Sequence, residues 1–297
     1  MPYGMPSGAG LRSLICRGGS HLAATLHEKH HINKHETVDF VENFSRSNVA
    51  SIDAFLSRHE RFFAIGKLCI AETLCSEEDP AKVLNNDTED HWYHHMWQIL
   101  IDGADTANDL LRNKIKFVTF NYDRSLEYFL HQSTKYTYGV SDEVALTVVN
   151  SLNILHVYGL LGKFSYLSSQ GSRQYAGNNT PEQISFAANS INVIPETRED
   201  NEAFETARNW LGNSEIIGFL GFGFDALNVK RIGLNSIMDR FANQGKSNPT
   251  IIASTYGKTP AETNKIRQLL WPNCPDKYMH TLNFESTKAI RNSDLLG

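Results

Sequence analysis

Lys116-Phe117-Val118-Thr119-Phe120-Asn121-Tyr122-Asp123-Arg124-Ser125-Leu126-Glu127 is the stretch on which the reading of the whole chain turns. The short apolar run from Ile115 to Phe120 breaks into polar residues at Asn121, and an amphipathic run from Ser125 to His131 follows at once. A short apolar run bounded by polar residues suits a buried strand, and the segment after it suits a helix. Asn121 and Asp123 are therefore expected at the carboxyl end of a strand, on the turn into a helix. That edge is where open α/β sheets bind ligands. Asp123 also has a plainer reading as the cap of the next helix. The plain reading leaves an amide and a carboxylate two positions apart unexplained.

Downstream, the same alternation repeats. A helix is expected near Asp142 to Leu152, then a strand from Asn153 through His156 into a turn at Gly159. Residues 163–180 are rich in Ser, Gly, Gln and Asn and read as a loop near the active cleft. Next come a helix from Pro181 to Ser190, a short strand from Ile191 to Ile194 and a helix from Glu199 to Leu211. Glu215 to Asp225 reads as a strand ending in the glycine turn Gly221-Phe222-Gly223, with a helix from Leu227. A strand from Thr250 to Ser254, a helix starting at Thr259-Pro260-Ala261-Glu262 and an edge strand within Tyr278 to Phe284 close the pattern. Strands alternating with helices predict an α/β protein with a mostly parallel sheet and helices on both faces.

Upstream, the pattern is different. From Gly19 to Arg112 the chain reads as all-helical. Its clearest helix is expected from Ser51, a good N-cap, to Cys75, with Ile52, Phe55, Leu56, Phe62, Phe63, Leu68 and Cys69 inward and Asp79-Pro80 ending it. Trp92, Tyr93, Met96, Trp97, Leu100 and Ile101 form a second apolar face and are read as core. Before this segment, Leu11, Leu14 and Ile15 look like the inner face of a first helix. Gly8-Ala9-Gly10 is a weak phosphate-loop signal, because no strand precedes it. The expected division is an α/β domain over residues 1–18 and 113–297, with a helical insertion over 19–112.

Composition narrows the function classes. The 297 residues carry 28 Lys and Arg against 33 Asp and Glu, a net charge of −5, mixed along the chain. No basic stripe favours nucleic acid, and neither a membrane-length apolar run nor a signal peptide is present. Cys16, Cys69, Cys75 and Cys274 show no C-x-x-C pair and no disulfide framework, so a reduced, cytoplasmic setting without structural zinc is expected. His27, His30, His31 and His35, and then His91, His94 and His95, crowd the helical segment. Neither group has an H-E-x-x-H arrangement or matching cysteines, and both are read as solvated side chains rather than metal ligands.

Three strand ends together suggest a family. Thr119-Phe120-Asn121-Tyr122-Asp123, His156-Val157-Tyr158-Gly159 and Gly221-Phe222-Gly223-Phe224-Asp225 resemble the sirtuin-like domains of bacterial anti-phage defence proteins. Sirtuins show T-Q-N-I-D, H-G and G-T-S at the corresponding places. Their N-terminal G-A-G-x-S-x-x-x-G-I-P is matched at its close by Gly4-Met5-Pro6. Ser51-Ile52-Asp53-Ala54-Phe55-Leu56 and Gly66-Lys67 look like the helical insertion of this subfamily. The resemblance spans roughly Met1 to Pro260; Asn121-Tyr122-Asp123 is its most specific piece and the glycine turn its least.

The resemblance implies a Rossmann-like sheet that binds NAD and hydrolyses its nicotinamide–ribose bond, with helices in place of the sirtuin zinc module. Asn121 and His156 are the expected catalytic residues: the amide holds a ribose hydroxyl or water, and the imidazole acts as general base. Gly4, Pro6, Thr119, Asp123, Tyr158, Gly221, Gly223, Asp225 and Ser254 are expected to hold the dinucleotide. The chain departs from the family at Tyr158, which stands where sirtuins place the catalytic His. His156 lies two residues earlier, on the same face of a strand. Besides NAD, a second copy of the chain or a defence protein is an expected partner. A non-catalytic module binding NAD or ADP-ribose is the alternative, and protein deacylation is disfavoured. The family pattern also has a first strand ending in G-A-G-x-S; here Met1-Pro2-Tyr3 take the place of the variable residues after that Ser. A longer reading frame encoding that strand is therefore expected upstream.

Overall fold

The computed structural model describes residues 4–49, 51–85, 91–169, 171–193, 201–243 and 247–291. In chain order the helices and strands are α1 (Gly8–Arg17), α2 (Gly19–His30), α3 (Lys34–Arg46), α4 (Ile52–Leu56), α5 (Phe63–Ser76), α6 (Pro80–Val83), α7 (Trp92–Ile101), β1 (Lys116–Thr119), α8 (Ser125–Tyr138), α9 (Asp142–Ser151), β2 (Asn153–His156), β3 (Lys163–Ser165), β4 (Ser172–Gln174) and α10 (Pro181–Asn189). They continue with α11 (Glu202–Leu211), β5 (Ile216–Phe219), α12 (Ala226–Ile232), α13 (Leu234–Asn243), β6 (Thr250–Ser254), α14 (Pro260–Leu270), β7 (Met279–Leu282) and α15 (Ser286–Arg291). The protein is a mixed α/β molecule. Every strand pair with a recorded register is parallel. No helix among the described residues is long and apolar enough to cross a membrane.

The chain forms two compact units: Met1–Asn85 with Thr106–Leu111 and Thr119–Arg198, and Asn86–Asp105 with Arg112–Val118 and Glu199–Gly297. In the first, Phe40, Phe44, Phe55 and Phe62 build an aromatic centre, with ring centroids 5.2–6.0 Å apart. All four are buried, and each contributes about 1.5–3 kcal/mol by leaving water. Helix α5 is apolar around most of its circumference, and its buried acid, Glu72, is paired with Lys29. It buries Ile65, Leu68, Cys69, Ile70, Ala71, Leu74 and Cys75 and lies against α1, α3 and α10.

The single helix expected from Ser51 to Cys75 is two. Ser51 does cap α4, accepting from the Ala54 amide, but Ser57–His59 interrupt the ladder. Ser57 Oγ and Arg58 Nη1 both donate to the Ala54 carbonyl, and His59 takes φ −139° and ψ 70°. The apolar spacing hid this, because Phe55 and Phe62 reach the same cluster from both sides of the break. Asp79 with Pro80 starts α6. In α1, Leu11 and Ile15 are buried, whereas Leu14 is exposed. Gly8-Ala9-Gly10 open α1 itself, capped by Ser7. Residues 163–180 are not all loop: β3 and β4 pair within them, burying Phe164 and Arg173.

In the second unit β5, β6 and β7 form a parallel sheet in that order, with Gly218 opposite Ile252 and Ile252 opposite His280. Helices α12 and α13 link β5 to β6, and α14 links β6 to β7, as parallel pairing requires. Ile251, Ile252, Ala253 and Ser254 are all buried in the middle strand. The expected start at Thr259 is a full capping box with Glu262. Tyr93, Met96, Trp97 and Leu100 are buried in α7, as expected of core. Asp225 caps α12, which begins one residue before the expected Leu227. Ile194, Glu199 and Met1–Tyr3 lie outside the described residues.

Candidate functional site

β1 ends at Thr119, whose carbonyl accepts from the Val157 amide at 3.1 Å, just past β2. The Thr119 hydroxyl accepts from the Asn121 amide at 3.1 Å, and the Asn121 residue is exposed. Tyr122 points inward: its hydroxyl donates to Asp53 Oδ1 at 2.6 Å, and its carbonyl accepts from the Leu161 amide at 3.0 Å. Asp123 is buried and accepts from the Ser125 amide at 3.2 Å. The plain reading of Asp123 as the cap of α8 is off by one: Arg124 takes the N-cap position without a side-chain cap bond, and Asp123 stands just before it. Burial keeps its carboxyl above the usual carboxylate range, although the Ser125 bonds and His156 pull the other way.

His156, the last residue of β2, closes the arrangement. Its Nδ1 lies 2.8 Å from the Asn121 carbonyl and its Nε2 lies 2.7 Å from Glu127 Oε1. The His156 and Glu127 side chains are only 7% and 9% exposed. Burial opposes the imidazolium, but the Glu127 charge and bond, the Asn121 carbonyl and Asp123 together lift His156 above its ordinary value of 6.5. Burial likewise opposes the Glu127 anion, and His156 outweighs it, holding Glu127 below the usual range. The second Glu127 oxygen is buried without a hydrogen-bond partner.

Thr119, Asn121, Asp123 and His156 are thus brought together by bonds within the first unit. Tyr158, two residues on, is buried, with its ring edge-on to Phe120 at 5.8 Å. Its carbonyl accepts from the Asn192 amide at 2.8 Å. Gly159 follows at φ +76°, where a Cβ would meet the Ser190 carbonyl at 2.3 Å, so only glycine fits. Gly4 lies against Lys82 and Pro6 beside Gly10, contacts made elsewhere in that unit.

Gly221, Gly223, Asp225 and Ser254 belong to the second unit. There Gly221 takes φ +60° and Phe224 φ +53°, an uncommon backbone state for a bulky residue. The Asp225 carboxylate accepts from the Leu227 and Asn228 amides, and Ser254 donates to the Phe284 carbonyl at 2.6 Å.

Two further groups were not expected. Glu127 was missed because a Glu in the first turn of a helix is ordinary on sequence grounds. Arg124 is wholly buried and bonded to Glu78 Oε1 at 2.6 Å, while Arg173 lies 2.6 Å from Glu78 Oε2 as an ion pair without hydrogen-bond geometry. The histidines read as solvated divide. His27, His31 and His35 are exposed, but His91 is buried, stacked on His94 at 4.6 Å. The His30 side chain is 4% exposed and sits 3.7 Å from Glu72. Apolar neighbours on the packing faces of α2 and α7 carry them inward. No group of three or more His, Cys, Asp or Glu among the described residues is placed to hold a metal. No protein-family model, curated protein or solved structure matches the chain.

Proposed function

We propose that this protein binds NAD on a Rossmann-like scaffold and hydrolyses its nicotinamide–ribose bond, in the manner of defence-type sirtuin-like proteins. The observation that carries the reading is the exposed Asn121 amide on a strand-end turn whose neighbours are Asp123, Glu127 and His156. The resemblance of Asn121-Tyr122-Asp123 to the sirtuin motif supports it. In the reaction, water adds at the ribose carbon, nicotinamide leaves with the bonding pair, and one proton is released. The transition state carries positive charge on the ribose, which nearby carboxylates and oriented dipoles favour. Asn121 would orient the water or a ribose hydroxyl, and Glu127 and Asp123 would supply the negative field.

The test is direct. Pure protein incubated with NAD should release nicotinamide, and Asn121→Ala should lower the rate at least about a hundredfold. Thermal stability should hardly change, since the residue is exposed. Full activity in that variant would overturn the assignment. One observation favours a second reading, a binding module for NAD or ADP-ribose: both His156 nitrogens are already engaged. In that case NAD would raise the melting temperature with no nicotinamide released.

A further inference from the structure

We propose that His156 is a positioning residue: its imidazolium ties the main-chain carbonyl of Asn121 to the carboxylate of Glu127, and so presents the Asn121 amide, instead of taking a proton from the reacting water. The activity side of this inference rests on the NAD-cleavage reading; the geometry does not.

The ring has two nitrogens, and each faces an acceptor. A carbonyl oxygen has no proton to give, so Nδ1, 2.8 Å from Asn121, must be the donor there. An ionised carboxylate also only accepts, so Nε2, 2.7 Å from Glu127 Oε1, must be a donor too. A ring that donates at both nitrogens is an imidazolium, with no lone pair left for a proton. A protonated Glu127 would reverse the second bond, but His156 and Arg124 both hold Glu127 in its ionised form. The charged groups facing the ring are Glu127 and Asp123, both negative when ionised, with Arg124 acting on Glu127. Neither ring nitrogen has a free direction to offer a substrate until one of these bonds opens.

What the clamp holds is the turn. Asn121 is fixed at its amide by Thr119 Oγ1, at its carbonyl by His156, and through Tyr122 by Asp53 and Leu161. The Asn121 residue itself is exposed, so its side chain can meet a ligand. A catalytic amide must be held closely in place to work, because orientation is much of its contribution.

The two roles predict opposite pH behaviour. A general base works as neutral imidazole, so activity would climb as pH rises through the His156 titration. A clamp works as imidazolium against an ionised Glu127, so activity stays level between the Glu127 and His156 titrations and falls above the latter, when one of the two N–H bonds is lost.

The experiment has one arm without ligand and one with it. In the full chain labelled with nitrogen-15, the His156 ring should show both nitrogens protonated at neutral pH, and Glu127→Gln should weaken its proton affinity by about tenfold or more. With NAD, nicotinamide release should fall as pH rises through that titration, and the fall should move to lower pH in Glu127→Gln. A neutral ring with one bare nitrogen in the unliganded wild-type protein would overturn the proposal. So would a cleavage rate that climbs through the His156 titration. A chain that binds but does not cleave NAD would end the hydrolase reading, and the nitrogen-15 titration would still decide the clamp.

Discussion

Glu127 shows where residue-by-residue reading stops. That Asn121, Asp123 and His156 stand together was legible because all three lie at or just past the ends of adjoining strands. Glu127 was not, because nothing in a charged residue on an amphipathic helix announces that it is buried. Only its partner on β2, 29 residues away, reveals it. The pair makes a stability prediction with a definite sign. His156 is raised, so its contribution is complete below the ordinary value of 6.5 and is lost as pH rises through its folded value. Glu127 is lowered, so its contribution is complete above the ordinary 4.5 and is lost as pH falls through its folded value. Denaturant midpoints should therefore show a plateau between the ordinary values of 4.5 and 6.5 and fall away on each side toward the two folded values. In Glu127→Ala the plateau should drop by about 1–3 kcal/mol and lose its alkaline edge; an unchanged profile would show that the pair stores nothing.

At the scale of elements, strands bounded by clear chemistry were legible and interruptions were not. β6 was read correctly because Thr250 to Ser254 is a short apolar run between polar segments. β3 and β4 were missed because their residues are mostly polar, and only Phe164 and Arg173 turn inward. The break between α4 and α5 was missed because periodicity ran straight through it. Asp53, on α4 ahead of the break, accepts from Tyr122 and joins a helix of the early chain to the segment that carries Asn121. Burial holds the Asp53 carboxyl above its usual range, and Tyr122 is the counterweight. Tyr122→Phe should cost about 1–3 kcal/mol, the penalty for a buried acceptor left without its donor. In a double-mutant cycle with Asp53→Ala, the combined loss should be clearly smaller than the sum. Strictly additive losses would mean that the two side chains do not interact.

Across the whole molecule, the alternation of strands and helices foretold the parallel pairing of β5-β6-β7 but not the division that leaves β1 and β2 in a two-stranded sheet of their own, and bonds between distant segments left no trace in the sequence. The largest of these is the buried group of Glu78, Arg124 and Arg173, all three side chains at 0% exposure. Arg124 also donates to the carbonyls of Arg173 and Gln174, and Glu78 Oε2 accepts from the Ala176 amide at 2.9 Å. Two cations share one anion, so Glu78→Ala should be severe, about 3–5 kcal/mol, because it strands charge in the interior. Urea unfolding would measure it, and a loss under about 1 kcal/mol would show that water reaches the guanidinium groups. The same group also keeps time. Glu78 and Ala176 lie 98 residues apart, and a ribosome adding about 5–20 residues each second delivers the second about 5–20 s after the first. Throughout that interval the nascent chain holds a carboxylate whose last partners have not been made. A chain that has not yet reached Ala176 carries Glu78 forward with its final amide missing, so this part of the molecule can close only once translation has passed Ala176.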